Sequence, residues 1–264
     1  MKSKIQEFQK NNFKIMSKKI ICLIGFVAML VTSCSSSDDN STINENDVLV
    51  KRSIRTYANG GSVTTVDHTY NGRKAVKSID SNGNYELYTY TGDLITQVRN
   101  YNSSDVLVDT ETFTYNSDTK LVSYVRANVA ANTGVKQTYV YNLDDTVTTA
   151  TFSGDATSQV TLTGTGTIAI SGGEVVMQTS SGGAMHTYTY DTKNNPFKNI
   201  TGFDKIMVIG GVATGGVQHN ILTDNDSSGY VYNFAYIYNT ANYPMTVTRS
   251  EGTDLIFTTE YIYY

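Results

Sequence analysis

From residue 48 to the C-terminus, short stretches of alternating apolar and polar residues follow one another, each bounded by a cluster of Asn, Asp, Gly or Ser. That alternation is the signature of half-buried strands joined by tight turns. An aromatic-x-Tyr triplet recurs within it: Tyr88-Thr89-Tyr90, Phe113-Thr114-Tyr115, Tyr139-Val140-Tyr141, Tyr188-Thr189-Tyr190, Tyr236-Ile237-Tyr238 and Tyr261-Ile262-Tyr263, with His68-Thr69-Tyr70 as a degenerate first copy. Between successive second tyrosines the steps are 20, 25, 26, 49, 48 and 25 residues, so each long step is close to two short ones. This predicts two units without tyrosines, one with a remnant at Ile168-Ala169-Ile170 and one replaced by an insertion around residues 192–228.

Residues i and i+2 of a strand share a face, so each triplet places two rings side by side. Turn formers follow the triplets, as in Asn71-Gly72, Thr91-Gly92-Asp93, Asn116-Ser117-Asp118 and Asn239-Thr240, and a second strand then returns, as in Leu94 to Tyr101. The fold class expected is all-β: an antiparallel meander of hairpins of about 24 residues, curled into a barrel-like or half-pipe sheet because long twisted sheets rarely stay open. Tyrosine rows are expected inside, and Thr, Lys, Glu and Gln rows outside. One short helix or plug is expected near 195–209, where Asn195 is a cap, Pro196 suits a first turn, and Phe197, Ile200, Phe203 and Ile206 or Met207 recur at helical spacing. Gly164-Thr165-Gly166, inside a strand and before no helix, reads as a bulge or tight bend.

The first 33 residues break this pattern. Lys14, Lys18 and Lys19 precede the apolar run Ile20 to Leu30, which is short for a membrane span and reads as a signal peptide over 1–33, with Met16 as an alternative start to Met1. Val31-Thr32-Ser33-Cys34 resembles the bacterial lipobox, which makes Cys34 the lipidated N-terminal residue of the mature chain. Residues 34–47 form a polar tether and 48–264 the tyrosine-rich β-domain. The short acidic stretch after Cys34 resembles the surface-export signal of Bacteroidota-type lipoproteins; a linker facing the periplasm is the alternative. Removing residues 1–33 takes away six of the 20 basic residues and one of the 24 acidic ones, leaving a net charge of −9. An acidic surface disfavours nucleic acid, and with Cys22 removed and Cys34 acylated no cysteine remains for a disulfide.

The repeat resembles the YD repeats of Rhs-type proteins: Tyr188-Thr189-Tyr190-Asp191 matches the head of that pattern, and Tyr88 to Leu94 keeps its Gly and apolar residue. With the lipobox, the chain is similar to uncharacterised Bacteroidota outer-membrane lipoproteins with a porin-like β-fold. The resemblance implies an outer-membrane location and brings no catalytic residues.

Of candidate chemistry there is little. His68, His186 and His219 lack ligand spacing, and there is no Gly-x-Ser-x-Gly elbow. Asp224, Asp226 and Ser228 open like a calcium loop, but position twelve is Ala235 rather than a bidentate Glu. No cofactor is expected, and no enzyme activity. The leading expectation is a lipid-anchored binding module for a glycan or extended polymer, with Tyr88, Tyr90, Tyr115, Tyr139, Tyr141, Tyr188, Tyr190, Tyr236 and Tyr238 as ligand-contact aromatics, or alternatively as core. A structural or accessory lipoprotein of an envelope complex is the second expectation.

Overall fold

The computed structural model describes residues 48–58, 60–207 and 216–264; the expected signal peptide, Cys34 and tether lie outside the described residues. Sixteen strands follow in chain order: β1 (Val50–Tyr57), β2 (Val63–Asn71), β3 (Lys74–Asp80), β4 (Tyr85–Thr91), β5 (Leu94–Tyr101), β6 (Leu107–Tyr115), β7 (Leu121–Asn128), β8 (Thr133–Tyr141), β9 (Thr146–Gly154), β10 (Gln159–Ser171), β11 (Glu174–Ser180), β12 (His186–Tyr190), β13 (Ile221–Asp226), β14 (Val231–Tyr238), β15 (Pro244–Glu251) and β16 (Asp254–Tyr263). Every strand pairs antiparallel with its sequence neighbours, and β1 pairs with β16 from Val50 opposite Tyr263 to Tyr57 opposite Phe257. The meander therefore closes into a barrel, and closure removes the unpaired edge that a half-pipe would expose.

The even-numbered strands carry the aromatic triplets. β10 is the unit that lost its rings: Ile168, 2% exposed, and Ile170 occupy the ring positions. The step of 48 hides no second lost unit. It is one ordinary hairpin, β12 and β13, with residues 191–220 inserted into its turn. A step near twice the repeat arose from an insertion of about one repeat length, which spacing alone does not distinguish from a missing copy.

One tyrosine of most triplets has a repeated structural task, the second ring in five of them and the first, Tyr236, in β14. Beside several turns at this end of the barrel the strand pairing bulges, and a tyrosine hydroxyl from a neighbouring strand reaches the backbone of a residue at the bulge. Tyr70 donates to the carbonyl of Val50 (2.8 Å), Tyr115 to Ile95 (2.7 Å), Tyr190 to Val175 (2.5 Å), Tyr236 to Ile221 (2.8 Å) and Tyr263 to Pro244 (2.6 Å). Tyr90 instead accepts the N–H of Ala75 (3.0 Å). These residues sit at register shifts in their strands, where the ladder leaves a group unpaired and a buried polar group needs a partner. The turns are built as their composition requires: Gly72 and Gly92 take φ of 59° and 58° in the shortest ones, while the side chains of Asn102, Asn116 and Asn239 each accept two backbone N–H groups of longer ones. Gly166 is required by packing, since a Cβ there would lie 2.2 Å from the Thr179 carbonyl oxygen.

The core is the inner face. Ile95, Val98, Phe113, Leu121, Tyr139, Val147, Ile168, Val175, Tyr188 and Ile221 form its buried cluster, with Tyr88, Tyr90, Tyr115, Tyr141 and Tyr190 packed against it. The outer face carries the intervening residues, among them Thr69, Thr89, Thr114 and Thr189, all exposed. The expectation that Glu and Gln face outward holds for Gln97 and Glu260 and is corrected for three others. Glu86, Glu111 and Gln137 pair across the sheet with Asn100, Arg126 and Tyr124 on the inner side. Each lies two residues before a ring, so strand alternation places it inside whatever its polarity.

The insertion closes one end of the barrel. Its helix is a single turn, α1 (Phe203–Ile206), the short helix expected in this insertion. Gly202, at φ 80°, breaks the run, and its missing Cβ lets the backbone approach the Asp93 carbonyl, which a Cβ would meet at 2.7 Å. Asn195 does cap the segment, its Oδ1 accepting the Phe197 N–H (2.9 Å). Phe197 inserts between His68 and Tyr261, with ring centroids 6.0 and 6.1 Å away, and Phe203 packs on Tyr88 at 6.1 Å. Two acids, the buried Glu174 and the half-buried Asp191, fix the far side of this plug. Glu174 accepts the backbone N–H groups of Val217, Gln218 and His219, each at 2.8 Å. Asp191 accepts the Asn220 N–H (3.0 Å) and the Tyr238 hydroxyl. The chain enters at the same end, where Asn199 donates to the Val48 carbonyl (3.0 Å).

Candidate ligand site in the barrel lumen

The other end of the barrel is bordered only by short turns, and the inner wall changes character towards it. Next to the plug the rows are apolar and aromatic. Two residues further along each strand they become Glu86, Glu111, Gln137, His186, Phe234 and Thr259, the positions that precede the triplets. This polar row sits on a floor of rings and is bordered on two arcs of wall by opposite charge.

On the arc from β4 to β7 the charge is negative. Asp109 is 4% exposed and is held by Asn100 Nδ2 (2.6 Å) and Arg126 Nη2 (2.7 Å). Asn100 also donates to Glu111 Oε1 at 3.0 Å, and the Tyr88 hydroxyl donates to Glu86 Oε2 at 2.5 Å. Burial is the main cause that raises the Glu111 carboxyl above the usual carboxylate range, with Asn100 and Arg126 opposing it and Glu86 and Asp109 adding repulsion. Glu86, Tyr88, Val98, Glu111, Phe113, Phe203, Ile206 and Met207 line a cavity of about 200 Å³, large enough for one small ring or head group and mixed in the way recognition pockets are. A chain of polar contacts runs from it: Tyr88 OH to Ser78 Oγ (3.3 Å) and Ser78 Oγ to His68 Nδ1 (2.9 Å). Burial pushes the His68 imidazole down to about 4.

On the arc from β14 through β16 to β1 the charge is positive and aromatic. The Arg249 guanidinium carbon lies 4.0 Å from the Tyr232 ring centroid, 5.7 Å from Phe234 and 6.0 Å from Phe257. Arg55 lies 4.3 Å over Phe257 and donates to Thr259 Oγ1 at 3.2 Å. Tyr57 meets Phe257 edge-on at 6.0 Å.

Of the tyrosines expected as ligand contacts, Tyr88, Tyr90, Tyr115, Tyr139, Tyr141, Tyr188, Tyr190, Tyr236 and Tyr238 all line the inner face. Tyr139 and Tyr188 are buried in the core, 3% and 8% exposed, and Tyr88 alone among the nine borders the 200 Å³ cavity. Tyr90, Tyr115, Tyr190 and Tyr236 spend their hydroxyls on the bulges, and Tyr238 on Asp191. The residues that the triplet pattern did not nominate are the polar row and the two arginines. Counting two residues back from each first ring would have found the row, since β alternation returns to the same face. The arginines lie on returning or closing strands and have no such marker.

The acids read as a calcium-loop opening lie elsewhere in use. Asp224, 8% exposed, contacts His186 Nδ1 at 2.8 Å; Asp226 Oδ2 is 4.0 Å from the other ring nitrogen, and its Oδ1 accepts the Ser228 N–H. Ser228 itself is exposed in the turn. Among the described residues no group of three or more His, Cys, Asp or Glu side chains is placed to hold a metal ion, and no helix is long and apolar enough to cross a membrane.

No protein-family model matches this chain, and no curated protein sequence matches it either. Its fold is similar to that of solved structures. A porin-like protein from Bacteroides uniformis ATCC 8492 superposes with a TM-score of 0.50 at 12% identity, covering 81% of this chain and 98% of that one. A porin-like protein from Bacteroides vulgatus ATCC 8482 gives 0.52 at 13% identity, covering 83% and 99%. At these identities the likeness concerns the fold.

Proposed function

We propose that this protein is a lipid-anchored outer-membrane protein whose barrel lumen binds a glycan or another extended polymer without catalysing a reaction on it. The observation that carries the reading is the composition of the inner wall beyond the plug. Rings of Tyr124, Tyr232, Phe234 and Phe257 stand beside charged and amide side chains, a mixture suited to stacking on sugar faces and bonding their hydroxyls. Next to the plug, by contrast, the wall rings pack into the buried apolar cluster and the acids Glu174 and Asp191 are spent on holding the plug.

The first described residue, Val48, stands at the plugged end, and the other mouth is bordered by short turns. The strands themselves read as water-facing rather than lipid-facing. Lys77, Lys136 and Glu260 project from the outer face among many threonines, and a Lys at a bilayer midplane costs about 2–4 kcal/mol. The porin-like neighbours support an envelope setting, with the periplasmic face or the cell surface as its location.

Glycan-array binding by the intact protein and by Tyr232→Ala and Tyr124→Ala variants tests the proposal. Loss of signal in these variants supports it; an unchanged array pattern refutes a lumen site. A second reading, an accessory protein of an envelope complex, is favoured by one observation: Val106, Val129, Val160 and Leu162 are 54–76% exposed on turns and strand starts at the open rim, where an apolar patch suits a protein partner. In-cell crosslinking from Val129 that recovers only the monomer would rule this out.

A further inference from the structure

We infer that the arc of lumen wall around Arg249 and Arg55 recognises an oxyanion on the bound saccharide, so that the ligand is an acidic sugar bearing a carboxylate or sulfate. The inference rests on the reading of the lumen as a saccharide site and adds the chemistry of what enters it.

The two arginines differ from the structural ones of the same protein. Arg52 is bonded to Asp67 at 2.6 Å and Arg126 to Asp109 at 2.7 Å, each with a carboxylate of its own. Arg73 donates to the Asn199 carbonyl and so ties the plug. Arg249 has neither kind of partner. Its Nε is buried and meets no acceptor, a state it shares with Arg99 on the outer face, and no ion pair among the described residues includes Arg249 or Arg55; what sets Arg249 apart is its place in the lumen among three rings. Three rings, those of Tyr232, Phe234 and Phe257, hold the guanidinium by its faces. Rings stabilise a cation but accept no in-plane N–H bonds, so the planar fork is fixed in place with its donors unspent. A buried donor without an acceptor is costly, and a fork of this shape matches a carboxylate or sulfate two oxygens at a time.

Arg55 adds a second cation against the same Phe257 ring. An anion entering over that ring is attracted by both cations. Glu251 is the nearest acid along β15, two residues from Arg249, yet it makes no ion pair with it. The mature chain carries a net −9, which repels long polyanions at a distance. Within the roughly 8 Å over which charge is felt at physiological salt the local arginines prevail. The occupant is therefore a sugar unit with its own acid group entering the lumen, stacked on Tyr232 or Phe257 and bonded at its acid group by the Arg249 fork, with Arg55 adding a second positive charge to the same wall.

The test is titration calorimetry on the full-length protein in detergent with trigalacturonate, its fully methyl-esterified form, a sulfated disaccharide and a neutral xylotriose. Wild type is compared with Arg249→Gln, Arg249→Lys and Arg55→Gln. The expected result is that at least one acidic ligand binds, that the ester binds at least ten-fold more weakly than the acid, and that Arg249→Gln loses ten-fold or more with Arg249→Lys restoring little. Equal binding of acid and ester, or acid binding unchanged in both Arg→Gln variants, overturns the inference. Neutral sugar bound while both acids are not overturns it and leaves the lumen reading standing; no saccharide bound at all brings down both. Arg55 is exposed and tolerates replacement, so Arg55→Gln decides the matter if Arg249→Gln does not fold.

Discussion

Removing a single hydroxyl from the barrel wall should cost a predictable amount. In Tyr115→Phe the ring stays against the core and only the bond to the Ile95 carbonyl is lost. Ile95 is fully buried, so water cannot replace the donor, and the penalty is that of an unsatisfied buried acceptor, about 1–3 kcal/mol. For a domain of this size each kcal/mol lowers the melting temperature by roughly 2–4 °C. Tyr236→Phe removes the equivalent bond to Ile221 on a distant part of the ring of strands, so the two losses should add. Tyr85→Phe is the control: its hydroxyl bonds Asp105 near the rim in an exposed setting, and its loss should cost about 0.5 kcal/mol or less. Calorimetric melts of the three single variants and the 115/236 double variant measure this directly. If Tyr115→Phe and Tyr236→Phe melt with the control, the hydroxyls are not what satisfies the bulges, and the explanation of why a triplet tyrosine recurs is wrong.

Three further outcomes follow from the structure. Glu174→Gln leaves one carbonyl to serve three backbone N–H groups, should cost about 2–4 kcal/mol, and should speed hydrogen exchange at 217–219 while leaving β4–β7 protected. His68 is held near 4 against 6.5 when unfolded, so the unfolded chain binds the extra proton first; stability should fall as pH drops from about 6.5 to 4, by about 3 kcal/mol, and chemical-denaturation curves of His68→Gln should lack that decline. Cys34→Ala should abolish incorporation of labelled palmitate and move the protein from the membrane to the soluble fraction; continued membrane retention would argue that the strands themselves insert.

Much of the fold was legible because the repeat encodes it at two scales. Alternation gives the strand and its buried face, and the Asn and Gly clusters after each triplet give the reversal, so hairpins and their inward rings follow from local sequence. Closure is legible only as a tendency, since pairing of Val50 with Tyr263 joins the two ends of the domain and nothing local announces it. The polar inner row was misassigned because hydrophobicity was used to choose the face, whereas position relative to the ring decides it: Glu86 is inside because Tyr88 is. The short helix in the insertion was legible too, but its bounds were not. Phe197, Ile200, Phe203 and Ile206 do reach the core, yet Gly202 presses the backbone against Asp93 and the spacing is satisfied by successive tight turns. Arg249 could not be singled out in advance, because its significance lies in lacking an acceptor, and partners are set by tertiary structure.

The central claim is that ligand occupies the inside of the barrel beyond the plug. Tetranitromethane nitration of tyrosines, read by mass spectrometry with and without a saturating bound saccharide, tests it most directly. The account predicts protection of Tyr232 and Tyr124 on the inner wall and no change at Tyr85 and Tyr101, which stack at 4.9 Å on the outer face. Protection of Tyr85 and Tyr101 with Tyr232 and Tyr124 unaffected would contradict it.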